Sequence, residues 1–135
     1  MKNMILVFFA MAALSACSKE DILQQEMNRL RGNWDLKEIT GGFTGAGYEA
    51  DFTQLIMTNS NRYSIEADNS SIEEGDYTLN IEEDELVIRF EPDVPDNRPF
   101  SEMEKTIEFK DNNRKLILIE PCCDLYTYEF ERTAE

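Results

Sequence analysis

Histidine is absent from the 135-residue chain, and basic residues are scarce. Without histidine the sequence cannot form a Ser-His-Asp or Cys-His nucleophile system, and it lacks the commonest protein ligand of zinc and copper. Only 13 Lys and Arg residues stand against 28 Asp and Glu residues, a formal net charge of −15 at pH 7. Nucleic-acid binding rests on neutralising phosphates with basic side chains, so this balance argues against a nucleic-acid partner. We therefore expect a protein that is not an enzyme and that holds no metal and no cofactor.

The apolar run near the N-terminus is short. Residues 4–16 form a run of 13 residues, whereas a transmembrane helix needs about 20 apolar residues. Lys2 precedes the run and small residues end it, which is the plan of a secretory signal. The sequence Leu-Ser-Ala-Cys at residues 14–17 resembles the lipobox of a bacterial lipoprotein signal. The resemblance implies that residues 1–16 are removed and that Cys17 becomes the first residue, carrying diacylglycerol and palmitate-type acyl chains.

A serine and three charged residues, at positions 18–21, directly follow Cys17. This stretch resembles the acid-rich export signals of some Gram-negative lipoproteins, which implies a place in the outer membrane, at the cell surface. The periplasmic face of the membrane is the alternative. Loss of residues 1–16 would move the formal net charge from −15 to −16. Such an excess opposes contact between the protein body and anionic lipids, so we expect membrane attachment through the N-terminal lipid alone.

Residues 17–31 are predicted to hold the lipid anchor, a tether and a short helix. Leu23, Met27 and Leu30 recur at helical spacing, and Gly32 follows them as a stop signal. A flexible tether without a helix is the alternative.

The remaining residues, 32–135, are enough for one domain with a single core. Here the hydrophobic period is two, as in the alternation of Tyr63, Ile65 and Ala67 with polar residues, which is typical of half-buried strands. We predict eight strands, near residues 33–40, 52–59, 62–68, 72–82, 85–91, 103–110, 114–120 and 124–132.

Eight consecutive antiparallel strands can close into an up-and-down barrel, which leaves no exposed strand edges. We therefore predict an all-β fold with such a barrel, and an open two-sheet sandwich is the alternative. Tight turns are predicted at residues 59–61, 83–84 and 111–113, each joining an even-numbered strand to the next odd-numbered one. In a barrel these three turns lie at one end, which we call the tight-turn end.

The less regular connections share the opposite, loop-bearing end. They are the glycine-rich segment 41–48, the proline-rich segment 92–102 and the segment 121–124. Loops held on a rigid scaffold commonly carry binding sites, so the loop-bearing end is the predicted mouth of the barrel. The first strand starts at the tight-turn end, and a lipid tether there would point the mouth away from the membrane.

Gly32-Asn33-Trp34 at the start of the first strand and Arg132 at the end of the last strand resemble the Gly-x-Trp and Arg positions of the lipocalin and fatty-acid-binding superfamily. The likeness is closer to the lipocalin-like domains of bacterial lipoproteins, and its architecture covers residues 32–132. The resemblance implies that Gly32, Trp34 and Arg132 close the base of the barrel, with Arg132 packed across the Trp34 ring. We expect no basic residue inside the barrel, so the resemblance does not imply the carboxylate-binding site of the fatty-acid binders.

The side chains predicted to point inward are apolar and aromatic, and they permit two interpretations. In the first, the barrel holds a cavity for a small hydrophobic ligand, with Phe43, Tyr48 and Phe100 at the mouth. In the second, a packed core fills the barrel and leaves no cavity. The aromatic candidates for the ligand-binding interior are Tyr63, Tyr77, Phe90, Phe109, Tyr126 and Tyr128.

Cys122 and Cys123 are adjacent and would lie in an oxidising compartment. A vicinal disulfide strains the backbone, because neighbouring Cα atoms are closer than a disulfide prefers. A vicinal disulfide, two free thiols and a soft-metal site are the three possibilities, of which we favour the disulfide. The acidic clusters at 66–68, 73–76 and 82–85 are interpreted as solvated surface, because they lack EF-hand spacing.

Two functions follow from these patterns. The first is a lipid-anchored envelope lipoprotein whose barrel binds a small hydrophobic ligand at the loop-bearing end. The second is a non-catalytic accessory lipoprotein with a filled barrel, which docks on another envelope protein. The sequence does not identify the ligand or the protein partner.

Overall fold

The computed structural model describes residues 17–45, 47–95, 98–122 and 125–134, and of Pro99 only the backbone. The predicted signal peptide, residues 1–16, lies outside the described residues. Neither helix in the described part of the chain has the length and hydrophobicity of a membrane span.

Eight antiparallel strands close into one barrel, which confirms the predicted fold class. Each strand pairs with the next along the chain, and the last strand pairs with the first. The strands are β1 (Gly32–Gly41), β2 (Gln54–Met57), β3 (Arg62–Ala67), β4 (Ser70–Glu82), β5 (Glu85–Pro92), β6 (Lys105–Lys110), β7 (Lys115–Ile119) and β8 (Tyr126–Arg132).

Alternating side chains fill the interior of the barrel. Inward positions of β3, such as Tyr63 and Ile65, are buried, and the polar residues between them are not. Leu36, Leu79, Leu86, Phe109 and Tyr126 are only partly buried but still pack against the core. The buried apolar core comprises Leu30, Trp34, Phe52, Leu55, Met57, Tyr63, Ile65, Tyr77, Ile88, Phe90, Phe100, Ile107, Leu116, Leu118, Tyr128 and Phe130.

The three predicted tight turns are present, and each contains residues with positive φ. Asn61, the pair Glu83 and Asp84, and the segment 111–113 adopt the left-handed conformation that Asn and Asp tolerate better than most residues. A fourth short turn of this kind, at 68–69, joins β3 to β4 at the loop-bearing end. That end therefore carries one tight turn beside its long loops.

Helix α1 (Lys19–Leu30) confirms the predicted N-terminal helix. Ser18 caps it, because its Oγ accepts a hydrogen bond from the backbone N–H of Asp21. The Asp21 carboxylate in turn accepts one from the backbone N–H of Ser18. The helix lies against the tight-turn end of the barrel, where the Lys19 Nζ reaches the Ile81 carbonyl oxygen at 3.4 Å and Leu30 is fully buried.

A second helix, α2 (Pro99–Glu102), interrupts the segment between β5 and β6 and was not predicted. Strand β6 therefore begins at Lys105, two residues after the predicted start near residue 103. The β5–β6 register contains only the Val87–Thr106 and Ile88–Lys105 pairs, whereas β4 and β5 pair over eight positions. In the described part of the chain, β5 is not paired with β6 beyond Ile88, and helix α2 lies beside this part of β5.

Candidate functional site: the barrel interior at the loop-bearing end

Phe100, in helix α2, is buried inside the barrel. The centroid of its ring lies 5.0 Å from those of Phe90 and Tyr128, and 5.2 Å from that of Phe52. The Phe130 ring follows at 6.0 Å. A residue of the β5–β6 connection therefore supplies the central aromatic ring at the loop-bearing end, and it contacts rings from both β5 and β8.

Lys105, the first residue of β6, is fully buried and points inward. It precedes Ile107 by two positions and therefore shares the inward face of its strand. Its Nζ donates hydrogen bonds to the backbone carbonyl oxygens of Phe100 and, at 2.9 Å, Met103. The same ammonium lies 5.0 Å from the Phe100 ring centroid, within range of a cation–π attraction. Burial lowers the pKa of Lys105 to about 8.

Glu120 provides the counter-charge for Lys105. Its Oε1 lies 3.6 Å from the Lys105 Nζ and accepts a 3.0 Å hydrogen bond from the Tyr128 hydroxyl. Its Oε2 accepts from the backbone N–H of Tyr126 at 3.1 Å. Burial, together with the hydrogen bond to Tyr48, raises the pKa of the Tyr128 phenol. We call Lys105, Glu120 and Tyr128 the lysine cluster.

A second buried carboxylate, Glu73 of β4, faces the other side of α2. It accepts hydrogen bonds from the Tyr63 hydroxyl at 2.6 Å and from the Ser101 hydroxyl at 3.2 Å. The Arg98 Nε lies 3.4 Å from the same carboxylate, and the Arg98 Nη1 donates to Asp51 at 2.6 Å. Helix α2 is therefore joined to the barrel through Glu73 on one side and through Lys105 on the other.

The predicted ligand-binding residues divide between the two ends of the barrel. Phe90 and Tyr128 lie beside Phe100, and Tyr63 lies against Phe90 at 4.8 Å. Tyr48 and Tyr126 are partly buried and lie edge to face, with ring centroids 4.7 Å apart.

Two other candidates belong to the tight-turn end. The Tyr77 hydroxyl donates to the carbonyl oxygen of Thr58, before the turn between β2 and β3. The Phe109 ring lies under the Arg29 guanidinium of α1, with 4.3 Å between the guanidinium carbon and the ring centroid. Phe109 is therefore not brought together with the group around Phe100, whereas Tyr77 is the register partner of Phe90 across the β4–β5 interface.

Of the three residues expected at the mouth, only Tyr48 lies between solvent and the core. Phe100 lies deeper than expected, because α2 folds its ring into the barrel. Phe43 is 94% exposed and contributes nothing to the packed interior.

Two predictions about charged residues are wrong. Lys105 lies inside a barrel for which no internal basic residue was expected, and Glu73 is buried although its acidic cluster was assigned to the solvated surface. Glu120, which the sequence analysis did not single out, is buried as well. The signal for Lys105 and Glu120 was the alternation itself: Lys105 begins β6 two positions before the inward Ile107, and Glu120 directly follows β7, two positions after the inward Leu118.

Gly32, Trp34 and Arg132 meet at the tight-turn end. Trp34 is fully buried, and its Nε1 donates to the carbonyl oxygen of Leu30 at 2.8 Å. Gly32 has a φ of +127°, and a Cβ at this position would lie 2.6 Å from Arg132 Nη1. The Arg132 guanidinium lies over the Trp34 ring, and a side chain larger than hydrogen at position 32 would displace it.

The cysteines lie at the margins of the described structure. Cys17, immediately before the cap of α1, is exposed, and so is Cys122. Cys123 lies outside the described residues, so the vicinal disulfide stays a prediction.

Comparison with known proteins returns no relative: no protein-family model, no curated protein and no solved structure matches the chain.

Proposed function

We propose that the protein is a lipid-anchored envelope lipoprotein whose lipocalin-like barrel binds a small apolar molecule at its loop-bearing end. One observation carries the proposal: aromatic rings there surround a few convergent polar groups, the buried lysine cluster. Small-molecule sites have this composition, an apolar lining with a small number of placed polar groups that fix orientation. The Lys105 Nζ lies at the centre of this arrangement, within 5.9 Å of three aromatic ring centroids.

The position of Cys17 supports an orientation in which the tight-turn end of the barrel lies toward the membrane. Cys17 lies two residues before α1, and α1 packs on the tight-turn end through Lys19 and Leu30. A lipid on Cys17 would hold that end toward the membrane, whether at the cell surface or on the periplasmic face of the outer membrane. The loop-bearing end would then face away from the bilayer and toward its ligand.

Ligand binding is tested by native mass spectrometry of residues 18–135, purified without detergent and followed by organic extraction. A co-purifying small molecule that raises the melting temperature when added back is the expected result. A protein of apo mass whose melting temperature is unchanged by a panel of lipids and other apolar compounds would refute ligand binding.

Lipidation is tested separately, by fractionating cells that express the full chain. Cys17→Ser should move the protein from the membrane fraction to the soluble fraction, because the acylated thiol is lost. Cys122→Ser is the matched control and should leave the protein in the membrane fraction. Equal membrane retention of both variants would exclude Cys17 as the anchor.

A second function, docking of a filled barrel on another envelope protein, is favoured by two exposed apolar residues. Phe43 is 94% exposed and Val94 is 75% exposed, and both lie on connections of the loop-bearing end. Crosslinking in intact cells distinguishes this function, since a partner captured by the wild-type chain should be lost from the double variant Phe43→Ser, Val94→Ser.

A further inference from the structure

We propose that helix α2 is a plug that occupies the ligand site, and that the ligand is a neutral aryl or alkyl compound carrying a carbonyl group. This inference rests on the proposed ligand binding and names the ligand's chemical class. It follows from what α2 and its C-cap residue Met103 place beside Lys105: one aromatic ring, that of Phe100, and two neutral acceptors, the carbonyl oxygens of Phe100 and Met103.

The attachment of α2 differs from that of the strands. Only Phe100 and Ser101 of its described side chains are buried, Glu102 is exposed, and side-chain contacts join the helix to Glu73 and Lys105. Beside it, β5 and β6 pair over only two positions, and an ion pair between Arg89 and Glu104 joins the two segments beyond them. Withdrawal of α2 would therefore leave the β5–β6 pairing and the other seven strand interfaces in place.

Withdrawal of the plug would uncover a defined site. Its walls are the rings that now contact Phe100, and the polar group left short of hydrogen-bond acceptors is the Lys105 ammonium. The rings are those of Phe52, Phe90, Tyr128 and Phe130. Lys105 would keep its ion pair with Glu120 but lose the carbonyl oxygens that now accept its hydrogen bonds. Unpaired N–H donors on a buried ammonium are unfavourable, so the incoming molecule must supply an acceptor in place of those oxygens. An apolar body with one carbonyl meets both requirements.

Charge decides between a neutral carbonyl and a carboxylate. Lys105 already lies 3.6 Å from Glu120, and Arg98 lies 3.4 Å from Glu73. The acidic and basic groups around α2 are thus paired, and the acceptors that α2 contributes to Lys105 are uncharged. A ligand carboxylate would add an unbalanced negative charge beside two buried carboxylates, so the site favours the neutral compound.

The plug also predicts how affinity changes when Phe100 is truncated. A ligand that must displace a group from its own site binds more weakly than the intrinsic affinity, by the fraction of molecules in the open state. Phe100→Ala removes the ring that competes for the space. We therefore expect the variant to bind the same ligand about ten-fold or more tightly than the wild-type chain.

Two matched probes test the ligand class at pH 7: benzylacetone, a neutral aryl ketone, and hydrocinnamate, the carboxylate of the same aryl chain. Calorimetric titration should give benzylacetone binding to the wild-type protein, and hydrocinnamate binding about ten-fold or more weakly. Hydrogen exchange should report the displacement, with faster exchange of the backbone amides at 100–103 when benzylacetone is bound. Ile22→Ala, on α1 at the other end of the barrel, is the control and should bind like the wild type.

Ser101→Ala is the second variant, and it keeps the proposal testable if Phe100→Ala does not fold. It removes the hydrogen bond to Glu73 but retains the Phe100 ring, so it should loosen the plug and strengthen benzylacetone binding several-fold.

Several results would overturn the inference. Benzylacetone binding only to Phe100→Ala, with none to the wild type, would make Phe100 a fixed part of the core. Unchanged amide exchange at 100–103 on binding would place the ligand elsewhere, and equally tight hydrocinnamate binding would refute the neutral class. If native mass spectrometry finds a co-purifying ligand in these cases, the proposed ligand binding survives and only the plug fails. An apo mass with no probe binding to any variant would refute both.

Discussion

The guanidinium of Arg132 lies over the indole ring of Trp34, with 4.1 Å between the guanidinium carbon and the ring centroid. Two of its nitrogens donate hydrogen bonds of 2.7 Å to the carbonyl oxygens of Arg29 and Arg31, at the end of α1. Register pairs Trp34 with Arg132 across the β1–β8 interface that closes the barrel. One side chain therefore joins the first strand, the last strand and the N-terminal helix.

Arg132→Lys tests this arrangement. Lysine keeps the positive charge but loses the planar fork that reaches both carbonyl oxygens and stacks on the ring. We expect the free energy of unfolding to fall by about 2 kcal/mol, the scale of one or two charge-assisted hydrogen bonds. Urea denaturation at pH 7 measures it. Arg114→Lys, at a side chain that is 76% exposed, is the control and should change stability by less than about 0.5 kcal/mol. Equal losses in the two variants would contradict the closing role of Arg132.

The strands and their closure were predictable because local patterns determine them. Alternation in segments such as Tyr63–Ala67 fixes which face is buried, and residues such as Glu83 and Asp84 suit tight turns. The contact of Trp34 with Arg132 was also expected, from the resemblance of both chain ends to a known motif. Each of these features depends on a few neighbouring residues or on the two ends of a closed sheet.

The interior at the loop-bearing end was not predictable in the same way. A charged side chain is assigned to the surface by default, because burying it alone is costly. Lys105 and Glu73 are buried because partners from distant segments, Glu120 and Ser101, meet them inside the barrel. These contacts depend on strand register and on the inward position of α2. The residues next to Lys105 and Glu73 in the sequence determine neither. Phe100 was misplaced for the same reason.

The depressed pKa of Lys105 predicts that stability rises with pH. The folded protein releases this proton near pH 8, whereas the unfolded chain holds it to about pH 10.4. Below pH 8 both states carry the charge, and above it only the unfolded state does, so the free energy of unfolding should increase by about 2 kcal/mol between pH 7.5 and 9.5. Above pH 10 the raised pKa values of Tyr48, Tyr77 and Tyr128 act in the opposite direction.

Urea denaturation of the wild type and Lys105→Met across this window measures the effect. The methionine variant should lack the increase, since the titrating group is gone. A wild-type curve that is flat from pH 7.5 to 9.5, or a parallel rise in the variant, would show that the Lys105 pKa is not depressed.

Neutralising Glu120 should reveal how far it balances Lys105. Glu120→Gln keeps hydrogen-bonding capacity toward Tyr128 but leaves the buried ammonium without its counter-charge, so we expect a loss of about 3 kcal/mol. The double variant Lys105→Met, Glu120→Gln should be more stable than the sum of the two single losses predicts, by about 1 to 3 kcal/mol. Urea denaturation at pH 7 provides all three values. Strict additivity would mean that the two residues do not interact.

Phe100→Ala should lower the free energy of unfolding by about 3 kcal/mol, the usual scale for removing a buried aromatic ring. Phe43→Ala is the matched control and should change it by less than about 0.5 kcal/mol, because the Phe43 ring is 94% exposed. The loss has a second meaning if α2 opens while the barrel stays folded. If Phe100→Ala makes the closed state less stable than the state with α2 withdrawn, the variant unfolds from that open state, and the loss in unfolding free energy stops growing. The measured loss is therefore a lower bound on the free energy of opening α2 in the wild type. A loss below about 0.5 kcal/mol at pH 7, indistinguishable from that of Phe43→Ala, would contradict the packed position of Phe100 between Phe52 and Tyr128.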